Sequence, residues 1–176
     1  MPLSEPAPRR AIHCRQVTCQ GFQRDDGLWD IEGRLVDTKT YEFTNRDRGA
    51  IPPGTPIHEM VVRVTVDDEL VIRQIEAVTL HAPFAICGDI TPAFSALAGM
   101  SLTNGFLREV RARFGGVKGC THIVELMAPI ATTAYQTIAP LRHLKTREGR
   151  DNLLDSCHAL AADGPVMARE FSRGNG

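Results

Sequence analysis

The apolar residues of this chain change from a period of two to a helical period about halfway along it. Apolar or small residues alternate with charged ones from Trp29 to Leu35, and a similar alternation runs from Met60 to Val66. Such alternation is typical of strands that bury one face. Beyond Leu80 the apolar residues recur at helical spacing, most clearly in Ile123, Leu126, Met127, Ile130, Ala131, Ala134 and Ile138. Strands first and helices later predict an α+β fold.

Turn signals make each alternating stretch one half of a hairpin. The run Asp25-Asp26-Gly27 separates the first pair of strands, and Asp67-Asp68-Glu69 separates the second, whose return strand is predicted over 70–80. Residues 44–56, rich in glycine and proline, are predicted to be a loop. We therefore expect an antiparallel β-meander of two hairpins.

Three to four helices are expected to pack on one face of that sheet. Thr91-Pro92 is a helix-start signal for a short helix that ends at Gly99. Further helices are predicted over 106–114, 121–139 and 151–162. We expect residues 1–10 to be a disordered lead, 11–163 to form a single α+β domain, and 164–176 to be a flexible tail.

Composition excludes several classes of function. The chain has 176 residues, 43% of them hydrophobic and 23% charged, with a net charge of -1, which favours neither nucleic acid nor an anionic membrane as a partner. No apolar run is long enough to span a bilayer or to form a signal peptide, so we expect a cytoplasmic protein. An odd number of cysteines, 5, indicates reduced thiols. A homodimer through exposed strand edges is one expectation.

A histidine and two cysteines mark the candidate site. Cys120 precedes the long helix, where backbone N–H groups and the helix dipole stabilise a thiolate, and His122 follows two residues later. Cys87 stands ahead of another helix, and His58 precedes a core strand. The simpler alternative is that both thiols are small buried hydrophobes. Glu32, on the polar face of a strand, is a further candidate.

Several separated segments resemble a bacterial family catalogued as domain of unknown function 2889. The likeness covers about residues 11–140. It rests on the run from Arg24 to Lys39, on His58-Glu59-Met60 and Cys87, and on Gly119-Cys120-Thr121-His122 followed by Ala134-Tyr135-Gln136-Thr137. The resemblance implies a bacterial source and little about function.

From His58 to Ile138 the order of elements is also similar to the NifU-like iron–sulfur scaffold fold. That resemblance implies a metal-ligand set of His58, Cys87 and Cys120, with His122 beside it. The scaffold's Cys-Gly-Asp is replaced here by Ile57-His58-Glu59. A site for Zn or Fe, or a metal-free Cys/His site, therefore fits better than a cluster scaffold.

Three functions follow from these residues. The first is a small-molecule enzyme, a lyase or hydrolase acting on a carbonyl- or hydroxyl-bearing substrate; an aromatic substrate is a guess that no residue supports. His58 would be its base and Cys120 its acid or nucleophile, with Glu32 or Arg63 nearby. The second is a metal-binding or iron–sulfur-related carrier without catalysis, and the third is a non-catalytic binding module. No nucleotide cofactor is expected, because no phosphate-binding loop is present.

Overall fold

The computed structural model describes residues 2–142 and 153–170. Its strands in chain order are β1 (His13–Gln23), β2 (Trp29–Lys39), β3 (Phe43–Asn45), β4 (Gly49–Ile51), β5 (Pro56–Val66) and β6 (Ile72–His81). Four of them form an antiparallel sheet in the order β1-β2-β5-β6, and β3 pairs with β4 in a separate small sheet. The α-helices that follow include α1 (Phe106–Phe114) and α2 (Thr121–Ile138), so the fold is α+β, as predicted.

Both predicted hairpins are present, and local residues explain their turns. Gly27 adopts a φ of +86°, which few other residues tolerate, and the N–H of Arg24 donates to the carbonyl of Leu28 at 2.9 Å. In the turn between β5 and β6, the Asp67 carboxylate accepts the backbone N–H of Glu69 at 3.0 Å and that of Val71 at 2.8 Å. These turns set the register of the sheet.

One face of the sheet is the core face. On β2, Trp29, Ile31 and Leu35 are buried, as the alternation predicted. They pair with Val66, Val64 and Met60 on β5, which are also buried. Because side chains two apart share a face, Asp37 extends the buried row of β2 beyond Leu35.

Helix α2 packs on this core face through a close approach at Gly33. A Cβ atom at Gly33 would lie 2.7 Å from Cδ1 of Ile130, so a larger residue there would displace the Ile130 side chain. The buried side of α2 is the predicted stripe, formed in this part of the chain by Ile123, Leu126, Met127, Ile130 and Ala134. The bounds of α1 and α2 agree with the prediction.

Short 3₁₀ helices connect the sheet to these helices. They are Ala85–Gly88, Thr91–Leu97 and Gly116–Lys118. The predicted α-helix at Thr91 is therefore a 3₁₀ helix, and its N-cap is Ile90 rather than Thr91. The Thr91 hydroxyl donates back to the carbonyl of Gly88 at 3.0 Å instead of capping the helix.

Two further elements differ from the prediction. The expected loop at 44–56 contains β3 and β4, which form because the Asn45 side chain accepts the N–H of Arg48 at 2.8 Å and Gly49 turns with a φ of +67°. The expected helix at 151–162 is replaced, over 153–162, by turns and a 3₁₀ helix, His158–Leu160. Asp155 has a left-handed φ of 58°, which interrupts helical geometry.

The short helix Pro165–Glu170 lies within the predicted flexible tail. The chain divides into two compact units within α2, between Ala134 and Tyr135. The first holds the sheet, the 3₁₀ helices over 85–118 and α1; the second holds His158–Leu160 and Pro165–Glu170. No comparison tests the predicted domain bounds.

Among 2–142 and 153–170, no helix is long and apolar enough to cross a membrane.

Candidate metal centre and groove

Asp37 is a buried carboxylate at the end of the core face of β2. Its residue surface is 1% exposed, and a β-bulge follows it at Thr38. A buried carboxylate needs charged or hydrogen-bonding partners to remain ionised. Asp37 obtains them from both neighbouring strands and from α2.

Arg15, directly opposite Asp37 on β1, supplies the main partner. Its Nε donates to Oδ1 at 2.8 Å and its Nη2 to Oδ2 at 2.7 Å, while Nη1 donates to Glu125 of α2. His13 Nε2 lies 3.1 Å from Oδ1. Burial alone would raise the pKa of Asp37, but the hydrogen bonds and charge of Arg15, with the charges of His13 and His58, lower it to about 2.

Two imidazole rings converge on the same carboxylate oxygen. Nδ1 of His58 lies 3.2 Å from Oδ2 of Asp37, and Nε2 of His122 lies 3.5 Å from it. The ring centroids are 4.0 Å apart, with the planes inclined at 31°. One ligand atom from each of the three residues lies within 4.8 Å of the others. Asp37, His58 and His122 are called the Asp/His/His cluster below.

The spacing and protonation of the cluster fit a divalent metal ion. Ligand atoms bonded at 2.0–2.1 Å to a tetrahedral ion lie about 3.4 Å apart, close to the two nitrogen–oxygen distances. Nδ1 of His58 is buried, and its contact with Oδ2 of Asp37 at 3.2 Å lacks the alignment of a good hydrogen bond. A metal ion would satisfy that nitrogen.

Both rings favour the neutral form that a metal ligand needs. Burial, and then the charge of His122, lower the pKa of His58 below its ordinary value, although Asp37 acts in the opposite direction. Burial and the charge of Arg15 lower the pKa of His122. Neutral imidazoles bind metal or accept protons without first losing one.

Cys120 lies on the other side of the His122 ring. Its Sγ is 3.9 Å from Nδ1 of His122, whose Nε2 faces Asp37. As predicted, Cys120 stands immediately before α2, and its carbonyl accepts the N–H of Val124 at 2.9 Å. The His122 imidazole thus lies between the Cys120 thiol and the Asp37 carboxylate in space.

The cluster opens into a groove of about 560 Å³. The groove is lined by His58, Met60, Pro83, Phe84, Ile86, Cys87, Asp89, Ile90, Val117, Gly119, Cys120, Thr121 and His122. Met60 is the most buried of these side chains, whereas Phe84, Ile86 and Val117 are exposed at the rim. A volume of this size suits a small molecule.

The small β3–β4 sheet holds one wall of the groove. The Asn45 side chain donates to the carbonyl of Pro83 at 2.5 Å, and the Asp47 carboxylate accepts the N–H of Ala85 at 2.8 Å. These bonds position the 3₁₀ helix that carries Ile86 and Cys87. The loop that was predicted to lack structure therefore supports the candidate site.

Four of the predicted site residues are brought together, and two are not. His58, Cys87, Cys120 and His122 all line the groove. Glu32 and Arg63 instead pair with each other at 2.8 Å. They occupy the opposite face of the sheet because residues an odd number of positions from Asp37 and His58 point away from the core. Their expected place near His58 was therefore wrong, whereas the roles of the other four residues stay predictions.

Two further histidines lie outside the groove. Nδ1 of His81 lies 2.7 Å from the carboxylate of Glu59, which Arg34 also contacts. The His158 side chain is exposed, and His143 lies outside the described residues.

Sequence reasoning missed Asp37 and Arg15. The signal for Asp37 was present: it continues the odd-numbered buried row of β2, and a charged residue on a buried face indicates a special environment. Arg15 carried no comparable signal, because almost the whole of β1 is exposed.

Comparison with known proteins agrees with the resemblance seen in the sequence. A family model described as a protein of unknown function, DUF2889, matches residues 13–136. The chain therefore belongs to this family. No curated protein and no solved structure matches it. The similarity to the NifU-like scaffold fold accordingly stays a prediction.

Proposed function

We propose that this protein is a metal-dependent small-molecule enzyme of the lyase or hydrolase type, with Asp37, His58 and His122 as its metal ligands. The observation that carries the proposal is the convergence of three ligand atoms within 4.8 Å beside a groove of small-molecule size. Imidazole and carboxylate ligands suit Zn²⁺ and Fe²⁺. In this proposal Asp37 takes the place of the thiol ligands that the resemblance to the NifU-like scaffold fold implied.

The three residues of the Asp/His/His cluster would hold a divalent ion with one coordination position open, and the ion would supply polarisation of a carbonyl or hydroxyl oxygen or activation of water. Residues around the Asp/His/His cluster hold its side chains in place for metal binding. Arg15 orients Asp37 and keeps it ionised, as partners behind metal ligands commonly do. Met60 and the apolar rim would contact the apolar part of a bound substrate.

Metal binding by the full chain, purified without an affinity tag, tests the proposal. We expect about one equivalent of Zn²⁺ or Fe²⁺ per chain by elemental analysis and calorimetry. His58→Ala and His122→Ala should each weaken binding by at least about tenfold, because each removes one ligand. His81→Ala is the matched control, since that imidazole also contacts a buried carboxylate but lies outside the groove, and it should bind metal normally.

Cys120→Ala separates the Asp/His/His cluster from the thiol set predicted earlier. The variant should retain the metal if the cluster holds it and lose the metal if Cys120 is a ligand. Retention of one equivalent by the His58→Ala/His122→Ala double variant would contradict the proposal. Addition of azide to Co²⁺-loaded protein then distinguishes an enzyme from a carrier: a changed absorption spectrum indicates the open position that catalysis requires.

A second candidate function is a cysteine hydrolase without metal. Its specific support is the sequence of contacts from Cys120 Sγ to His122 Nδ1 at 3.9 Å and from His122 Nε2 to Asp37 at 3.5 Å. Nucleophile, base and orienting carboxylate are ordered in this way in acyl-transfer enzymes. The two candidates exclude each other, because Nε2 of His122 cannot both bind metal and donate to Asp37.

Acyl transfer in metal-free buffer tests this candidate. The Cys120 sulfur would attack the carbonyl of p-nitrophenyl acetate, p-nitrophenolate would leave, and an acetyl thioester would form. Mass spectrometry should then find the adduct on Cys120, formed more slowly in His122→Ala and in Asp37→Asn. Labelling that is unchanged in both variants would leave only the metal-dependent proposal.

A further inference from the structure

We infer that the groove binds an uncharged, largely apolar molecule whose oxygen-bearing end reaches His58 and His122. This inference rests on the proposed function in one respect: it takes the end of the groove at His58 and His122 as the place where the substrate reacts. It names the class of substrate, which the metal ligands alone do not determine.

The first support is a concentration of exposed apolar side chains around the groove. Phe84 is 55% exposed, Ile86 is 72% exposed and Val117 is fully exposed. They come from two separate segments of the chain, yet they line the same groove. Isolated exposed apolar residues are common, but a group of them around one cavity is typical of a binding site.

The second support is the gradient of burial along the lining. Met60 is buried, His58 and His122 are half-buried, and the apolar rim is exposed. A ligand with an apolar body therefore places that body against the rim when its polar end is at the histidines. Covering the rim side chains contributes roughly 25 cal/mol per Å² of apolar surface removed from water.

The third support is the charge of the lining. None of the lining residues found in the described part of the chain is a lysine or an arginine. The one carboxylate in the lining, Asp89, is exposed to solvent. Arg15 beneath the cluster is already paired with Asp37 and Glu125. A carboxylate or phosphate on the apolar end would therefore have no cation to pair with, whereas an uncharged body needs none.

Matched probes test the inference on the full chain by calorimetry. We expect 4-tert-butylbenzyl alcohol to bind at least about tenfold more tightly than 4-(hydroxymethyl)benzoate or 4-(aminomethyl)benzyl alcohol, whose charged groups replace the tert-butyl group at the rim end, a difference of about 1.4 kcal/mol. 1-Octanol distinguishes an aliphatic body from an aromatic one. Equal or tighter binding of the carboxylate or of the ammonium compound would overturn the inference.

Rim variants locate the bound probe. The Ile86→Ser/Val117→Ser double variant should weaken binding of the alcohol by at least about tenfold, because it removes apolar surface from the rim. Both positions are exposed, so folding should be unaffected. Val78→Ser/Leu80→Ser is the matched control, since those exposed side chains are not part of the groove lining, and it should leave binding unchanged. Unchanged binding in the rim variant would overturn the inference.

Zinc content measured on the same samples separates this inference from the proposed function. The rim variant should keep its metal while losing the alcohol. If wild-type protein binds the alcohol through the rim but holds no metal, the proposed function fails and the groove inference stands. If metal binding depends on the histidines but the alcohol binds no better than the benzoate, the inference alone fails.

Discussion

Asp37 shows how a single carboxylate can organise a site. It contacts Arg15, His13, His58 and His122, which come from β1, β5 and α2. Its pKa, lowered from 3.8 to about 2, corresponds to about 2 kcal/mol of stability at pH 7. The value is an upper bound, because Arg15 is partly exposed and water screens its charge.

Asp37→Asn should lower the free energy of unfolding by about 2 kcal/mol, since it leaves Arg15 without its charged partner in the core-facing row. Urea denaturation of metal-free protein measures the loss. Arg15→Gln should also destabilise the protein. The Arg15→Gln/Asp37→Asn double variant should lose less than the sum of the two single variants, because both remove the same pair. Strict additivity would show that the pair is not coupled.

At the scale of elements, the site depends on where α2 crosses the sheet. Helix α2 contacts β2 at two points, where Ile130 meets Gly33 and where His122 meets Asp37. Eight residues of helix and four of strand each span about 12–13 Å, so the two contacts fit one alignment of helix and strand. Gly33 therefore helps to position His122 without contacting it.

Gly33→Ala should lower the free energy of unfolding by about 1–3 kcal/mol, because its Cβ would lie 2.7 Å from Cδ1 of Ile130 in a close-packed core. Thermal or urea unfolding measures the effect. Adding Ile130→Val removes that terminal methyl group, so the double variant should recover part of the loss. If the two changes were simply additive, the close contact would not be the cause of the destabilisation.

At the scale of the whole molecule, ionisable groups of the site, together with Glu59 on the opposite face of the sheet, make stability depend on pH. The pKa of Asp37 is lowered by folding, and Arg34, against the effect of burial, lowers that of Glu59. The pKa values of His58 and His122 are lowered as well, chiefly by burial. The unfolded chain therefore binds more protons than the folded chain in the range where each group titrates, so stability is lost as pH falls.

The free energy of unfolding of metal-free protein should decrease as the pH falls below about 6.5, and again from about pH 4 to about pH 2. Urea denaturation at a series of pH values in the presence of a chelator measures both steps. Asp37→Asn should flatten the acidic step, and His58→Asn/His122→Asn should flatten the step near neutrality. A stability that falls as pH rises from about 5 to about 7 would contradict the assigned pKa directions.

Local signals in the sequence were sufficient to predict most of the strands and helices. Period-two alternation identified β2 and β5, the Asp-Gly turn identified the first hairpin, and helical spacing identified α2. Each signal depends on neighbouring residues only. The errors fell where local preferences compete with contacts: β3 and β4 are stabilised by side-chain bonds around Asn45, and a left-handed residue, Asp155, interrupts the expected last helix.

The sequence by itself determined the α+β class, the two hairpins, the long helix and membership of the DUF2889 family. It also pointed to His58, Cys87, Cys120 and His122, which the groove brings together. Only the tertiary structure added Asp37 and Arg15 and removed Glu32 and Arg63. The reason is the register of the strands. Strand pairing and the contact of α2 with Gly33 decide which distant side chains share a face of the sheet. A shift of one residue in the pairing would move each side chain to the other face.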